Sequence, residues 1–305
     1  MFGGSIVAIV TPMLNGELDE DSLRQLLRMH KAAGTSGIVP AGCTGEAATL
    51  TGEERGRLIN ICLEEVGDTM PVIPGTGSNS TAETIRLTAE AKTAGAQGAL
   101  IITPYYNKPT PEGQYLHYKA VAEAVDIPIM LYNVPGRTGV NMLPDTISRL
   151  AEIPNIVAVK EAAGSVDQVS EIVELCDIAV LSGDDPQTLP MLSVGAKGVV
   201  SVAANVVPMT VAAMTAAWPD DIPRAAELHH VLRRISKSLF IETNPGPVKF
   251  AMKQLGLIRS DELRAPLTTM TQNNRTAMTD AIELIRRTRE PGQEGQLNRT
   301  GTRGR

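Results

Sequence analysis

Gly98-Ala99-Leu100-Ile101-Ile102 is followed at once by Thr103-Pro104-Tyr105-Tyr106-Asn107, an unbroken apolar run that stops dead in polar and aromatic residues. A strand with one wet face alternates apolar and polar residues; a continuous run is the mark of a strand covered on both faces, as in a parallel sheet. Similar Val/Ile-rich runs begin near residues 6, 37, 71, 98, 127, 156, 179 and 198, with amphipathic segments of helical length between them. Parallel strands need a crossover of a dozen residues or more, so these are eight strand-plus-helix units. A doubly wound sheet would carry a Gly-rich dinucleotide fingerprint after its first strand, whereas Val7-Ala8-Ile9-Val10 leads into Thr11-Pro12-Met13-Leu14. The expected class is α/β: a (β/α)8 TIM barrel with a C-terminal helical appendage.

Helical patterns alone occupy residues 208–218, 221–241, 245–255 and 273–289, punctuated by Pro219, Pro223, Pro245 and Pro266. We therefore expect a barrel carrying the active site over residues 1–225, a C-terminal helical region over 226–289 and a disordered tail over 290–305, where Gly, Gln, Asn and Arg dominate. At 305 residues the chain suits a barrel of about 250 residues plus an appendage. Aromatics make up 3% of it, so the core must be aliphatic.

The net charge of −6 and the lack of any Lys/Arg cluster speak against a nucleic-acid partner. Cys43, Cys62 and Cys176 form no CxxC pair, and His30, His117, His229 and His230 show no metal-ligand spacing, so neither disulfides nor a metal is expected. Met1 to Met13 lacks a basic leader region, and no apolar run approaches the ~18 residues of a membrane span, so a soluble cytoplasmic protein is expected.

Barrel active sites form where strands end. The run Ile156-Val157-Ala158-Val159 ends in Lys160. A free lysine of pKa ~10.4 is only about one part in 2,500 neutral at pH 7; burial that lowered it to ~7 would gain roughly a thousandfold in nucleophilic amine. The alternative is a strand-end lysine paired with adjacent Glu161. Gly42-Cys43-Thr44-Gly45-Glu46 reads either as an ordinary turn or as a carboxylate cradle of backbone N–H groups plus the Thr44 hydroxyl. Tyr132 lies one β/α unit before Lys160, on the neighbouring strand, and serves as a packer or a proton carrier. Arg137 offers a planar fork to a carboxylate or a surface salt bridge. Glu46 and Glu161 read as structural, Lys197 as solvated, and Lys249 as a poor nucleophile.

Taken together, Gly42–Glu46, Pro104–Asn107, Tyr132–Gly139, Val159–Ala162, Ser182–Asp185, Ser201–Asn205 and Asn244–Lys249 resemble the 4-hydroxy-tetrahydrodipicolinate (dihydrodipicolinate) synthase family, colinearly from Gly4 to about Leu284. The resemblance implies a cofactor-free class I lyase that condenses pyruvate with aspartate 4-semialdehyde on the way to diaminopimelate and lysine. It implies Lys160 as the Schiff-base lysine, Tyr132 as proton donor and acceptor, and Tyr106 as a relay residue supplied across a dimer interface. It also implies that Thr44 and the Val200 backbone hold pyruvate, that Arg137 holds the semialdehyde carboxylate, and that the assembly is a homotetramer of two dimers. The family usually has threonine at Cys43, the relay position, so a slower relay is expected here. A lysine-effector site would fall at Ala48, Asn79, Glu83 and Tyr105, but Gly52 replaces its usual polar residue, so feedback should be feeble. The competing readings are a pyruvate-dependent lyase for another 2-oxo or sugar acid, and a non-catalytic binder of 2-oxo acids.

Overall fold

The computed structural model describes residues 2–289; the tail expected over 290–305 lies outside them. Seven parallel strands, Gly4–Ala8, Gly37–Val39, Ala99–Ile102, Ile129–Asn133, Ile156–Glu161, Ala179–Ser182 and Gly198–Ser201, follow the expected runs. Gly4–Ala8 pairs with both Gly37–Val39 and Gly198–Ser201, and the remaining strands follow in chain order. The run expected near residue 71 forms no regular strand and makes only the bridges Ile38–Val72 and Gly75–Leu100. Pro71 and Pro74 are the reason, since each removes an N–H from the ladder. The segment still closes the barrel: Ile38 N–H donates to Pro71 O at 2.9 Å, and Leu100 N–H donates to Pro74 O at 2.9 Å.

A helix lies outside each stave, from Glu20–Ala32 after the first to Pro208–Ala217 after the eighth. Their starts carry the expected signals. Thr51 and Glu54 form a reciprocal capping box at Gly52–Val66, and Ser80, Thr110 and Ser165 cap three others. The C-terminal region contains Ile222–Leu239, Gly246–Gln254, Gln272–Ala277 and Thr279–Arg289, and the division expected at 225/226 falls in the first turn of Ile222–Leu239. The single pattern expected over 273–289 is two helices parted at Met278. Backbone bonds Met278 N to Asn274 O and Ile282 N to Met278 O carry the path across the break.

Side chains alternate along each strand between barrel interior and helix layer. Ile6, Ala8, Val39, Leu100, Met130, Ala158, Leu181 and Val200 fill the interior, with Tyr132 among them. Val159 belongs to the layer beneath the helices, so Lys160, the next residue, points inward again.

Candidate active site

Lys160 pairs in register with Tyr132 on one side and Leu181 on the other. It is 5% exposed, and its Nζ stands 4.2 Å from the centroid of the Tyr132 ring. Among the described residues no carboxylate pairs with it, so the reading of Lys160 as a partner of Glu161 fails. Glu161 faces the helix layer, where it accepts from Asn133 Nδ2 at 3.0 Å, Ala163 N–H at 2.6 Å and Gln168 Nε2 at 3.2 Å. Burial lowers the Lys160 pKa to about 8; the charge of Arg137 lowers it further, while Cys43 and Asp185 work the other way. That is about one unit above the ~7 used in the sequence argument. The gain in neutral amine at pH 7 is accordingly about two- to threehundredfold rather than a thousandfold.

Tyr132 is held by its carbonyl, which accepts both the N–H and the hydroxyl of Thr103, at 2.9 and 3.0 Å. Burial, reinforced by Cys43, raises its phenol pKa, with Arg137 opposing. It is therefore a protonated phenol at neutral pH, fit to give a proton before it takes one. Cys43 is half-buried and is an electrostatic neighbour of both Lys160 and Tyr132.

The loop Gly42–Glu46 doubles back on itself. A Cβ on Gly45 would stand 2.9 Å from the Ala41 nitrogen, and both Ala41 and Glu46 adopt left-handed φ, 51° and 56°. The turn bonds Glu46 N–H to Cys43 O and Ala47 N–H to Gly42 O at 3.2 Å each. Among the described residues nothing accepts from the N–H groups of Cys43, Thr44 or Gly45, which suits an anion cradle. Val200 is buried on the inward side of the last strand. Arg137 is exposed on the single turn Pro135–Thr138, and its Nη2 lies 3.4 Å from the Asn244 carbonyl.

Several residues without an assigned role complete this geometry. Asn244 is 5% exposed and donates from Nδ2 to Thr44 Oγ1 at 2.9 Å. Lys249 and Glu46 form a fully buried ion pair at 2.7 Å, and Glu46 also accepts the Arg264 N–H at 3.1 Å. Asp185 receives the Ser201 hydroxyl and the N–H groups of Val202 and Ala203, the latter two at 3.0 Å, fixing the loop after the last strand.

Tyr106 is not brought to Lys160 within one chain. It is 88% exposed with φ 73°. Near the expected effector position, Arg55 donates to Gly75 O at 2.6 Å and Ala47 O at 3.0 Å, within reach of the charge of Glu83. Ala48 is exposed, Glu83 is engaged by Arg86 at 2.6 Å, and the Asn79 carbonyl accepts from Asn107 at 2.8 Å. Arg55 was missed because a lone arginine on a helix reads as a surface charge. Among the described residues no group of three or more His, Cys, Asp or Glu side chains is placed to hold a metal.

A closed parallel barrel with a water-shielded, partly neutral lysine at a strand's C-terminal end is the layout of an aldolase-type lyase that works through an imine. The chain belongs to the dihydrodipicolinate synthetase family, whose model matches residues 1–285. It is 55% identical over 281 residues to 4-hydroxy-tetrahydrodipicolinate synthase of Geotalea uraniireducens, covering 91% of this chain and 97% of that one. Among solved structures, the synthase of Methylacidiphilum fumariolicum SolV superposes with a TM-score of 0.92 at 43% identity, covering 94% and 97% of the two chains. The chloride-inhibited enzyme of Acinetobacter baumannii, solved with pyruvate, gives a TM-score of 0.91 at 45% identity, covering 93% and 99%.

Proposed function

We propose that this lyase condenses pyruvate with L-aspartate 4-semialdehyde to 4-hydroxy-tetrahydrodipicolinate, the branch step toward diaminopimelate and lysine. The observation that carries the proposal is Lys160: buried, without a counter-ion among the described residues, and with a pKa of about 8. The names of the relatives and the pyruvate in the Acinetobacter baumannii enzyme support the substrate assignment.

The neutral amine adds to the pyruvate ketone, and loss of water leaves an iminium. Its electron demand lets a methyl proton leave near neutral pH, and the resulting enamine attacks the aldehyde. Attack of the semialdehyde's own amine on the imine carbon then closes the ring and frees Lys160. Tyr132 gives and takes protons; Cys43 stands at the relay position; Tyr106 is supplied by a second copy. Thr44 and the N–H groups of its loop that lack an acceptor among the described residues receive the pyruvate carboxylate, the Val200 backbone helps hold pyruvate, and Arg137 receives the carboxylate of the semialdehyde. The exposure of Tyr106 supports its role in trans, and with it a dimer as the minimal active unit within a tetramer of two dimers.

We place the protein in the cytoplasm; among the described residues no helix is long and apolar enough to cross a membrane. We also keep the division into a barrel over 1–225 and a helical region over 226–289. Weak lysine feedback at Ala48, Asn79, Glu83 and Tyr105 is supported by bare Gly52 and by Arg55, whose fixed positive charge opposes a second cation.

Turnover of the purified protein requiring both pyruvate and the semialdehyde, followed with a reductase that consumes the cyclic product, tests the proposal. Lys160→Ala should abolish borohydride fixation of pyruvate, and Arg137→Ala should chiefly raise KM for the semialdehyde. Fixation of pyruvate without turnover on the semialdehyde would favour a lyase with another aldehyde partner.

A further inference from the structure

The motif Ser182-Gly183-Asp184-Asp185 ends the strand beside the one that carries Lys160, and Gly183 has no part in the chemistry above. Register sets Lys160 opposite Leu181 and Glu161 opposite Ser182, so Gly183 is the first residue beyond the strand. Its N–H donates to Glu161 O at 2.7 Å. The Ser182 hydroxyl accepts from Asp184 N–H at 3.2 Å and donates to Asp184 O at 2.8 Å. The backbone at 183 is thus tied on both sides and cannot easily retreat.

The Lys160 stem lies directly across this residue. A Cβ built on Gly183 would stand 3.0 Å from Lys160 Cε, 3.1 Å from Lys160 Cγ and 2.7 Å from Ala162 Cβ. Carbon atoms prefer separations of about 3.5–4.0 Å, so a methyl group there must push the stem aside by a few tenths of an ångström. Gly183 is not among the glycines of positive φ, so the conformation does not demand glycine here. What the position requires is the missing side chain. On the other side of the amine, 4.2 Å away, is the Tyr132 ring.

We propose that Gly183 is a positioning residue for the imine-forming amine, a bare floor that fixes the Lys160 stem and so aims Nζ. The inference rests on Lys160 being that amine. The step it governs is addition of neutral Nζ to the ketone carbon, with the proton passing from nitrogen to oxygen, followed by loss of water; overall, the ammonium and the ketone give an iminium and one water. The pyruvate carboxylate subsite, on the Gly42–Glu46 loop, is not touched. Misplacement of a reacting group by about 1 Å costs on the order of a hundredfold in rate, so a shift of a few tenths of an ångström should cost about fourfold.

The test is rapid-quench borohydride fixation of pyruvate on the full-length protein, read by mass. It compares wild type, Gly183→Ala and the double variant Gly183→Ala/Ala162→Gly, which removes the Ala162 clash and keeps the Lys160 clash. The expected result is a maximal fixation rate about fourfold lower in both variants, at an unchanged half-saturating pyruvate concentration, with the double variant melting as wild type does. A wild-type rate in Gly183→Ala, or recovery of the rate in the double variant, would overturn the inference by reducing Gly183 to ordinary packing. Failure of the wild type to fix pyruvate at Lys160 would instead remove the imine reading, and this inference with it.

Discussion

The rate of imine formation should titrate with the Lys160 amine. Only the neutral form attacks, and burial sets its pKa at about 8. The neutral fraction is then about one in eleven at pH 7, one half at pH 8 and about ten in eleven at pH 9. The rate should rise about fivefold from pH 7 to 8, about twofold from 8 to 9, and be flat above, a total of about tenfold. An unshifted lysine would gain about tenfold in each of those steps and continue to rise toward pH 10. The gains from pH 7 to 9 thus differ about tenfold between the two cases. The assay is single-turnover fixation of saturating pyruvate by borohydride between pH 6 and 10, with the protein's fold monitored at each pH. A rate that still climbs in proportion to hydroxide between pH 9 and 10 would refute the argument that desolvation activates Lys160.

The same burial has a thermodynamic side. Below pH 8 the unfolded chain keeps the Lys160 proton that the folded state holds less tightly, at a cost of about 3 kcal/mol that recedes as pH rises from 8 to ~10.4. Lys160→Met should therefore raise the urea midpoint at pH 7 and barely change it near pH 10.5; a uniform gain at both would point to packing instead. Cys43→Thr should raise kcat by restoring a hydroxyl at the relay position, and an unchanged or lower kcat would dismiss the slow-relay idea. Lys249→Met should destabilise by about 3–5 kcal/mol, because it strands Glu46 as a buried charge, and Glu46→Gln in the same chain should recover most of the loss. Lysine should leave more than half of the activity at 1 mM, and half-inhibition at submillimolar concentration would contradict the part given to Arg55 and Gly52.

The barrel was legible because burial on both faces writes itself into continuous apolar runs, seven of which became strands. The stave near residue 71 escaped the pattern because Val72 and Ile73 supply the right side chains while Pro71 and Pro74 withhold donors. The Lys160–Tyr132 pair was also legible, since one β/α unit in a parallel barrel places like strand ends side by side. Other features were not. Asn244 meets Thr44 across 200 residues and Lys249 meets Glu46 across 203, and no local periodicity encodes such pairings. Gly183 was hidden for another reason: a missing side chain leaves no pattern, and only the position of the Lys160 stem gives it meaning.

The C-terminal helices bear on what holds the Gly42–Glu46 loop in a conformation it would not choose. Ala41 and Glu46 stand in the left-handed region, each costing on the order of 1–2 kcal/mol for a residue with a Cβ. Such strain persists only where surroundings over-determine the backbone. Much of the restraint comes from beyond the barrel: Lys249 grips the Glu46 carboxylate, the Arg264 N–H bonds its second oxygen, and the Arg264 guanidinium bonds Thr49 O at 2.9 Å and also reaches Glu54. Asn244 then fixes the Thr44 hydroxyl while its carbonyl lies beside Arg137. A buried ion pair contributes little net stability, because desolvation offsets its attraction, so its value lies in geometry. Among the described residues the loop so held leaves the N–H groups of Cys43, Thr44 and Gly45 without an acceptor, which suits the carboxylate of a 2-oxo acid. If this loop holds the pyruvate carboxylate as proposed, a chain cut before Asn244 should lose pyruvate affinity even where its barrel still folds.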